Sequence, residues 1–296
     1  MNRIDAFSEY HPSVNFLFFT SVIAFTMFWQ HPVCRLISLI CSAVYYCVLF
    51  KSAGKRFIIR FIIPITLLSS IMNPLLSHQG QTILFYLPSG NPFTLESFFY
   101  GMSSGVLLSA VMLWFFCLSA VMSTDKFIGL FAEKMPSFSL LLSMTVRFIP
   151  LFRKRFRETS DIMYAVQGGK LKLLSKIRLS LKCFISVLSH CLERGVETSD
   201  SMKSRGYGTA KRTAYKAYRL ESHDKAALFF ILSFSLFLIC ATAARFFSFR
   251  YYPDVSGEFH GIFTIMSLSA FFIICAMPVF LEWRERLKWM RLKSEI

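Results

Sequence analysis

Glu197-Thr-Ser-Asp-Ser-Met-Lys-Ser-Arg-Gly-Tyr-Gly208 reads as the last turns of a helix and its stop. Gly206 suits the left-handed residue that follows a helix, and Arg205 sits in the final turn, where the dipole favours a cation. Upstream, Ile177, Leu181, Phe184, Leu188, Cys191 and Gly195 alternate in steps of three and four. That is an apolar stripe of helical period, which predicts a helix over about Leu171 to Ser204 packed against something along this face. An arginine on such an exposed tip is placed to grip a partner's carboxylate in bidentate fashion.

A second helix end lies just before it, in Asp161-Ile-Met-Tyr-Ala-Val-Gln-Gly-Gly169. The start signal Pro136-Ser137 and the stop at Gly168-Gly169 bracket one long helix over Ser137 to Gly168, or two joined at Pro150. Its middle, Arg153-Lys-Arg-Phe-Arg157, suits a helix pressed against anionic lipid. One glycine-ended helix is simply a helix that stops. Two of them in one basic block, with no catalytic group nearby, point to paired docking ends: Gln167, Gly168, Gly169 and Lys170 on one, Ser204, Arg205 and Gly206 on the other.

Working outward, this block spans Thr124 to Lys225 and holds twenty of the thirty-three Lys and Arg. The rest of the 296-residue chain is greasy: 54% hydrophobic, 17% aromatic and only 17% charged overall, outside the range of soluble domains. Stretches long enough to cross a bilayer lie near Val14–Trp29, Val33–Phe50, Phe57–Leu76, Phe98–Met122, Ala226–Phe247 and Ile262–Leu281. The fold class is therefore all-α, a polytopic membrane protein with about six transmembrane helices and a helical cytoplasmic insert. The first span is short, and its tight break from the second at Gln30-His31-Pro32 allows a hairpin that only partly crosses. No cleavage site follows the first span, which stays as a membrane helix.

Loop charge sets the orientation. Lys51, Lys55, Arg56 and Arg60 mark one side, whereas Ser77 to Ser97 has no Lys or Arg. Both termini and residues 124–225 are then cytoplasmic, with membrane segments 1–123 and 226–296 on either side. Arg245 and Arg250 fall on the outer side, where snorkelling to headgroups accommodates them. The net charge of +16 follows this cytoplasmic excess and does not imply nucleic acid. Tyr207, Tyr215 and Tyr218, interleaved with Lys211, Arg212, Lys216 and Arg219, likewise fit an inner membrane face better than base stacking.

Enzymatic chemistry is not written in the chain. Gly54-Lys55-Arg56 lacks the upstream glycine and the hydroxyl residue of a phosphate-binding loop, and no metalloprotease or nucleophile-elbow pattern occurs. The spans carry no Asp or Glu in their interiors, which argues against a proton-coupled carrier. The eight cysteines lack Cys-x-x-Cys spacing and read as small buried hydrophobes, and His78 and His260 read as ordinary loop residues. No cofactor or metal is expected.

Four strings carry a resemblance: Asn73-Pro-Leu-Leu-Ser-His-Gln-Gly80, Asp125-Lys-Phe127, Ser143-Met-Thr-Val-Arg-Phe-Ile-Pro150 and Asp200-Ser-Met-Lys-Ser-Arg-Gly-Tyr-Gly208. With them, from His11-Pro12 to the Asp224 region and the last two spans, the chain resembles the transmembrane T component of energy-coupling factor (ECF) transporters, the EcfT/CbiQ-like family of importers for vitamins and transition-metal ions. The resemblance implies two crossed cytoplasmic coupling helices, each ending in an Ala-Arg-Gly-like tip seated in a groove of one of two ATPase subunits. It also implies a separate substrate-binding S component in the membrane, a prokaryotic cell membrane as location, and no catalysis by this chain. Ser204-Arg205-Gly206 matches the second tip, and Arg147, Pro150, Asp200, Met202, Tyr207, Gly208, Asn73 and Pro74 are its supporting motif residues. The first tip departs, with Gly169 where the family commonly has arginine, so that Gln167 or Lys170 substitutes or this helix docks through shape. A self-sufficient secondary transporter, a membrane-embedded enzyme and a membrane scaffold are the competing readings.

Overall fold

A computed structural model describes residues 6–77, 80–86, 92–132, 135–168, 173–209, 220–244, 249–251, 256–257 and 261–294. The chain divides into two compact units, one of residues 1–123 with 218–296 and one of residues 124–217. Among the described residues five helices are long and apolar enough to cross a membrane, and the 17-residue Pro12–Phe28 is a shorter apolar sixth. The all-α polytopic expectation holds, and the first span is indeed the short one.

In the first unit α1 (Pro12–Phe28) and α2 (Pro32–Phe57) start with the same device. His11 Nδ1 accepts from the Ser13 N–H at 3.2 Å, His31 Nδ1 accepts from the Val33 N–H at 3.3 Å, and a proline occupies the first helical position each time. The ring nitrogen satisfies an orphan donor, and proline has no N–H to lose there. These two caps make the Trp29–His31 turn tight.

The connection expected between Phe50 and Phe57 is a tight reversal and not an open loop. Helical backbone breaks only at Lys51, with φ 50 and ψ −124, then resumes through a five-residue π turn (Ile58–Ile62) into α3 (Ile63–Leu76). The chain reverses there: the rings of Tyr46 and Phe57 lie 5.6 Å apart, where eleven residues of straight helix would separate them by about 16 Å. The third span begins at Ala53, ahead of the expected Phe57. Pro64, which cannot donate to the ladder, accounts for the adjacent π turn.

A short antiparallel pair, β1 (Ile83–Tyr86) with β2 (Pro92–Thr94), leads into α4 (Leu95–Val121), the centre of this unit. Trp114 of α4 is fully buried amid Phe18, Phe19 and Tyr45, with ring centroids 5.9 to 6.5 Å away. Its indole N–H donates to Ser38 Oγ at 2.9 Å, Ser38 pairs with Thr26 at 2.8 Å, and Thr26 donates to the Val22 carbonyl at 2.7 Å. This relay satisfies every polar atom it buries and ties α1, α2 and α4 together. Ser38→Ala strands the indole N–H, and a loss of about 1–3 kcal/mol is expected in reversible unfolding, with Ser38→Thr milder.

α3 crosses α4 at backbone contact. A Cβ on Gly101 would lie 2.8 Å from Asn73 Cβ and 3.0 Å from the Ser69 carbonyl oxygen, and one on Gly105 would lie 2.9 Å from the Thr66 carbonyl oxygen. This is small-xxx-small packing of membrane helices. Pro74 sits inside the last turn of α3 and leaves the Ser70 carbonyl without its ladder donor. A Cβ on Gly101 would lie 3.1 Å from that carbonyl oxygen, so glycine leaves the space beside it open.

The C-terminal helices complete the unit. α8 (Ser222–Ala243) opens with a capping box in which Asp224 accepts from the Glu221 N–H at 3.0 Å, and the same carboxylate accepts the His11 N–H at 3.0 Å. Two-residue strands β3 (Phe249–Arg250) and β4 (Ser256–Gly257) pair before α9 (Ile262–Ser294). α9 continues past Pro278, so the basic tail from Arg284 to Lys293 is helical, beyond the expected end at Leu281. All eight cysteines are free; five are buried as expected, but Cys240 is exposed.

The second unit contains α5 (Thr124–Ala132), α6 (Pro136–Gln167) and α7 (Leu173–Ser204), with α6 packed on both others. α6 is one 32-residue helix through Pro150, and Pro136 is its first residue. Neither α6 nor α7 is apolar enough to span a membrane.

Candidate functional site

The end of α7 is closed by backbone hydrogen bonds, with two hydroxyls adding to them. The Tyr207 N–H donates to the Met202 carbonyl at 3.0 Å and the Gly206 N–H to the Lys203 carbonyl at 2.9 Å, the two bonds of a Schellman cap. Gly206 supplies the left-handed residue with φ +84. A non-glycine side chain there would strain the cap. Ser204 Oγ donates to the Ser201 carbonyl at 2.9 Å, and Thr209 folds back onto the Gly206 carbonyl through its N–H and hydroxyl. Gly208, at φ +93, continues the turn.

What this cap presents is a rigid exposed tip. Ser204, Arg205, Gly206, Tyr207 and Gly208 are all exposed, and Met202 is half-buried beneath them. Asp200 faces water 4.0 Å from Lys203, an exposed pair contributing little to stability. Arg147 and Pro150 are exposed on α6. Asn73 and Pro74 belong to the other unit, at the α3–α4 crossing, where they have a packing role.

α6 ends at Gln167, and Gly168 follows in the left-handed region with φ +43 and nothing within 4 Å of its would-be Cβ. Both residues are exposed. Gly169 and Lys170 lie outside the described residues, as do Lys211 to Arg219 with Tyr215 and Tyr218, and His78, Arg245 and His260. The 32 residues of α7 make it about 48 Å long, with Arg205 just past its end.

The apolar stripe predicted to pack is not the face that is buried. α7 rests on α6 through Leu179, Cys183 and Val187, while Ile177, Leu181 and Leu188 of the predicted stripe stay more than 40% exposed. Phe184, 45% exposed, still meets α6 through an edge-to-face pair with Phe152, ring centroids 6.0 Å apart. With Leu174, Ile185, Leu192 and Val196, also exposed, the stripe forms a continuous apolar face along the helix. Periodicity located an apolar face correctly but not its covering; α7 has two such faces and α6 takes the other.

Among the described residues no group of three or more His, Cys, Asp or Glu side chains is placed to hold a metal ion. One charged residue inside an expected span, Arg35 of α2, is 5% exposed and is not among the expected site residues. A lone ionisable residue within an apolar run was the available signal.

The family described as CbiQ, cobalt transport protein, matches residues 7–215. An energy-coupling factor transporter transmembrane protein, EcfT, from Lactobacillus helveticus (strain DPC 4571) is 32% identical over 127 residues, which cover 40% of this chain and 44% of that relative.

Proposed function

Because the chain belongs to the CbiQ family of cobalt transport proteins, we propose that it is the energy-coupling transmembrane T component of an ECF-type ABC importer for a vitamin or other micronutrient. It catalyses nothing itself. Two partner ATPases hydrolyse ATP, the tips of α6 and α7 sit in their grooves, and the helices carry the resulting motion to a separate S component that holds the cargo. Residues 124–225 and both termini lie in the cytoplasm of a prokaryotic cell, and residues 1–123 and 226–296 hold the chain in the membrane.

The observation that carries this reading is the exposed, hydrogen-bond-fixed Arg205-Gly206 tip at the end of a long stiff helix. A lever transmits force only if its end does not deform, and the Schellman cap provides that stiffness without using the Arg205 side chain. The uncovered apolar face of α7 supports a second contact, with the membrane partner. At the α6 tip, Gln167 is the exposed residue that replaces the family's arginine in polar contact, with Gly168 and Gly169 allowing close approach and Lys170 following.

Co-expression with the cognate ATPase pair and purification in detergent tests the assignment. The chain is expected to retain two ATPase subunits through size-exclusion chromatography. If it captures neither at any ionic strength, the reading fails and a carrier or scaffold takes its place.

A further inference from the structure

Asp224 does more than cap its own helix. It is the third residue of α8, yet it is only 3% exposed, and each of its carboxylate oxygens takes a separate backbone donor. Oδ2 accepts the Glu221 N–H at 3.0 Å and closes the first turn of α8. Oδ1 accepts the His11 N–H at 3.0 Å, at the start of α1. Burying a carboxylate is costly unless it is hydrogen-bonded, and these two backbone donors offset that cost. Asparagine could serve only one of them, because its amide has a single acceptor oxygen.

The donor is held as firmly as the acceptor. The Ala6 N–H donates to Glu282 Oε2 of α9 at 3.1 Å, and Phe7 is fully buried in edge-to-face contact with Phe18, Phe19 and Tyr45. At the far ends of the same two helices the Trp29 indole N–H donates to Thr242 Oγ1 at 2.9 Å, and that hydroxyl donates to the Leu238 carbonyl at 2.8 Å. The two ties are eighteen residues apart on each helix, about 27 Å of axial rise. A single tie is a pivot, whereas two at equal spacing stop α8 from sliding along α1 or tilting away from it. Thr26, Ser38 and Trp114 then link α1 to α2 and α4.

Beyond the α7 tip the chain rejoins this unit at residue 218, a few residues ahead of Glu221. A pull along that connection arrives first at the opening turn of α8. A helix end fixed only to itself frays under such a pull, because its first N–H groups have no helical partners. Resting on the energy-coupling reading above, we propose that Asp224 is a positioning residue of the coupling step. It makes α1 and α8 move as one body, so that displacement arriving from the α7 tip reaches α1, α2 and α4.

The test uses the full chain in detergent, in complex with its cognate ATPase pair, with either ADP or a non-hydrolysable ATP analogue. Backbone hydrogen exchange is followed by mass spectrometry. In the native complex the nucleotide is expected to change exchange in the first turns of α1 and α8 together. Asp224→Asn is expected to keep the response in α7 and α8 and to lose it in α1. His11→Pro asks the same question with the carboxylate and the α8 cap untouched, so the answer does not depend on how well Asp224→Asn folds. It deletes the N–H that Oδ1 accepts, at a φ of −53 that proline shares. His11→Ala keeps that N–H while removing the ring that caps α1, and is expected to respond as the native chain does. Failure of the native chain to capture the ATPases sinks the coupling reading itself. With capture intact, the role of Asp224 is overturned by a native α1 that does not respond, or by an α1 that still responds in Asp224→Asn and His11→Pro. Equal loss in His11→Ala and His11→Pro, or loss that spreads to α7 and α8, marks a merely structural contact and overturns it as well.

Discussion

Arg205→Glu is expected to abolish ATP-driven uptake in cells or proteoliposomes carrying the whole transporter, without altering the melting of the isolated chain. The separation of the two effects follows from the cap. Its bonds run between backbone groups of Met202, Lys203, Gly206 and Tyr207, so reversing the side-chain charge at 205 leaves them in place. Docking changes instead. Truncating one partner of a buried charged pair costs about 2–5 kcal/mol, a roughly thirty- to several-thousand-fold loss of affinity, and a glutamate adds repulsion. Gly206→Val separates geometry from charge. At φ +84 a β-branched residue is strained by about 1–2 kcal/mol, so this variant is expected to loosen the tip and reduce uptake while Arg205 is still present. Native uptake by Arg205→Glu, with the ATPases still bound, would show that force does not pass through this tip.

The second large effect lies at the α3–α4 crossing. Gly101→Val and Gly105→Val each place carbon against carbonyl oxygens of α3 at 2.9 to 3.1 Å, distances that require one helix to move. Overpacking of this kind costs about 1–3 kcal/mol per site. Because both sites push on the same few residues of α3, the double variant is expected to depart from additivity. Thermal aggregation in detergent, followed by fluorescence-detected size exclusion, measures the loss. Gly195→Ala is the internal contrast: nothing lies within 4 Å of its would-be Cβ, and a gain of about 0.5–1 kcal/mol in helix stability is expected. A neutral Gly101→Val would mean that α3 is not held where the contacts put it.

The elements legible in the sequence were those decided by local chemistry. Gly206 and Gly168 end helices because few other residues accept positive φ, and Pro136 starts one because its missing N–H costs nothing there. Spans were legible from length, since no shorter apolar run satisfies a bilayer. The place of the reversal near Lys51 was legible as the gap between two spans, but its tightness was not: the residue at positive φ is a lysine, an added Cβ at Gly54 would lie 3.2 Å from the Tyr46 carbonyl oxygen, and Phe57 packs on Tyr46. Gly101 and Gly105 were passed over because small residues in an apolar run look alike until a second helix lies on them. Arg35 escaped for a related reason: charge was counted in loops to orient the chain, and one arginine inside a span added nothing to that count. The outward α7 stripe shows the limit most directly, since a period of 3.6 states that a face is apolar and is silent about what covers it.

The contact between Asp224 and the His11 N–H joins residues 213 apart, and Trp29 meets Thr242 across the same separation. α1 therefore emerges from the ribosome long before its neighbours exist. At about 5–20 residues per second, the N-terminal helix waits on the order of ten to forty seconds for α8. Throughout that interval the buried faces of Phe18, Phe19 and Val22 have only α2 and then α4 to pack against. Biogenesis of this protein thus closes late and from the C-terminal side, and an early truncation leaves a helix hairpin with its clasp missing.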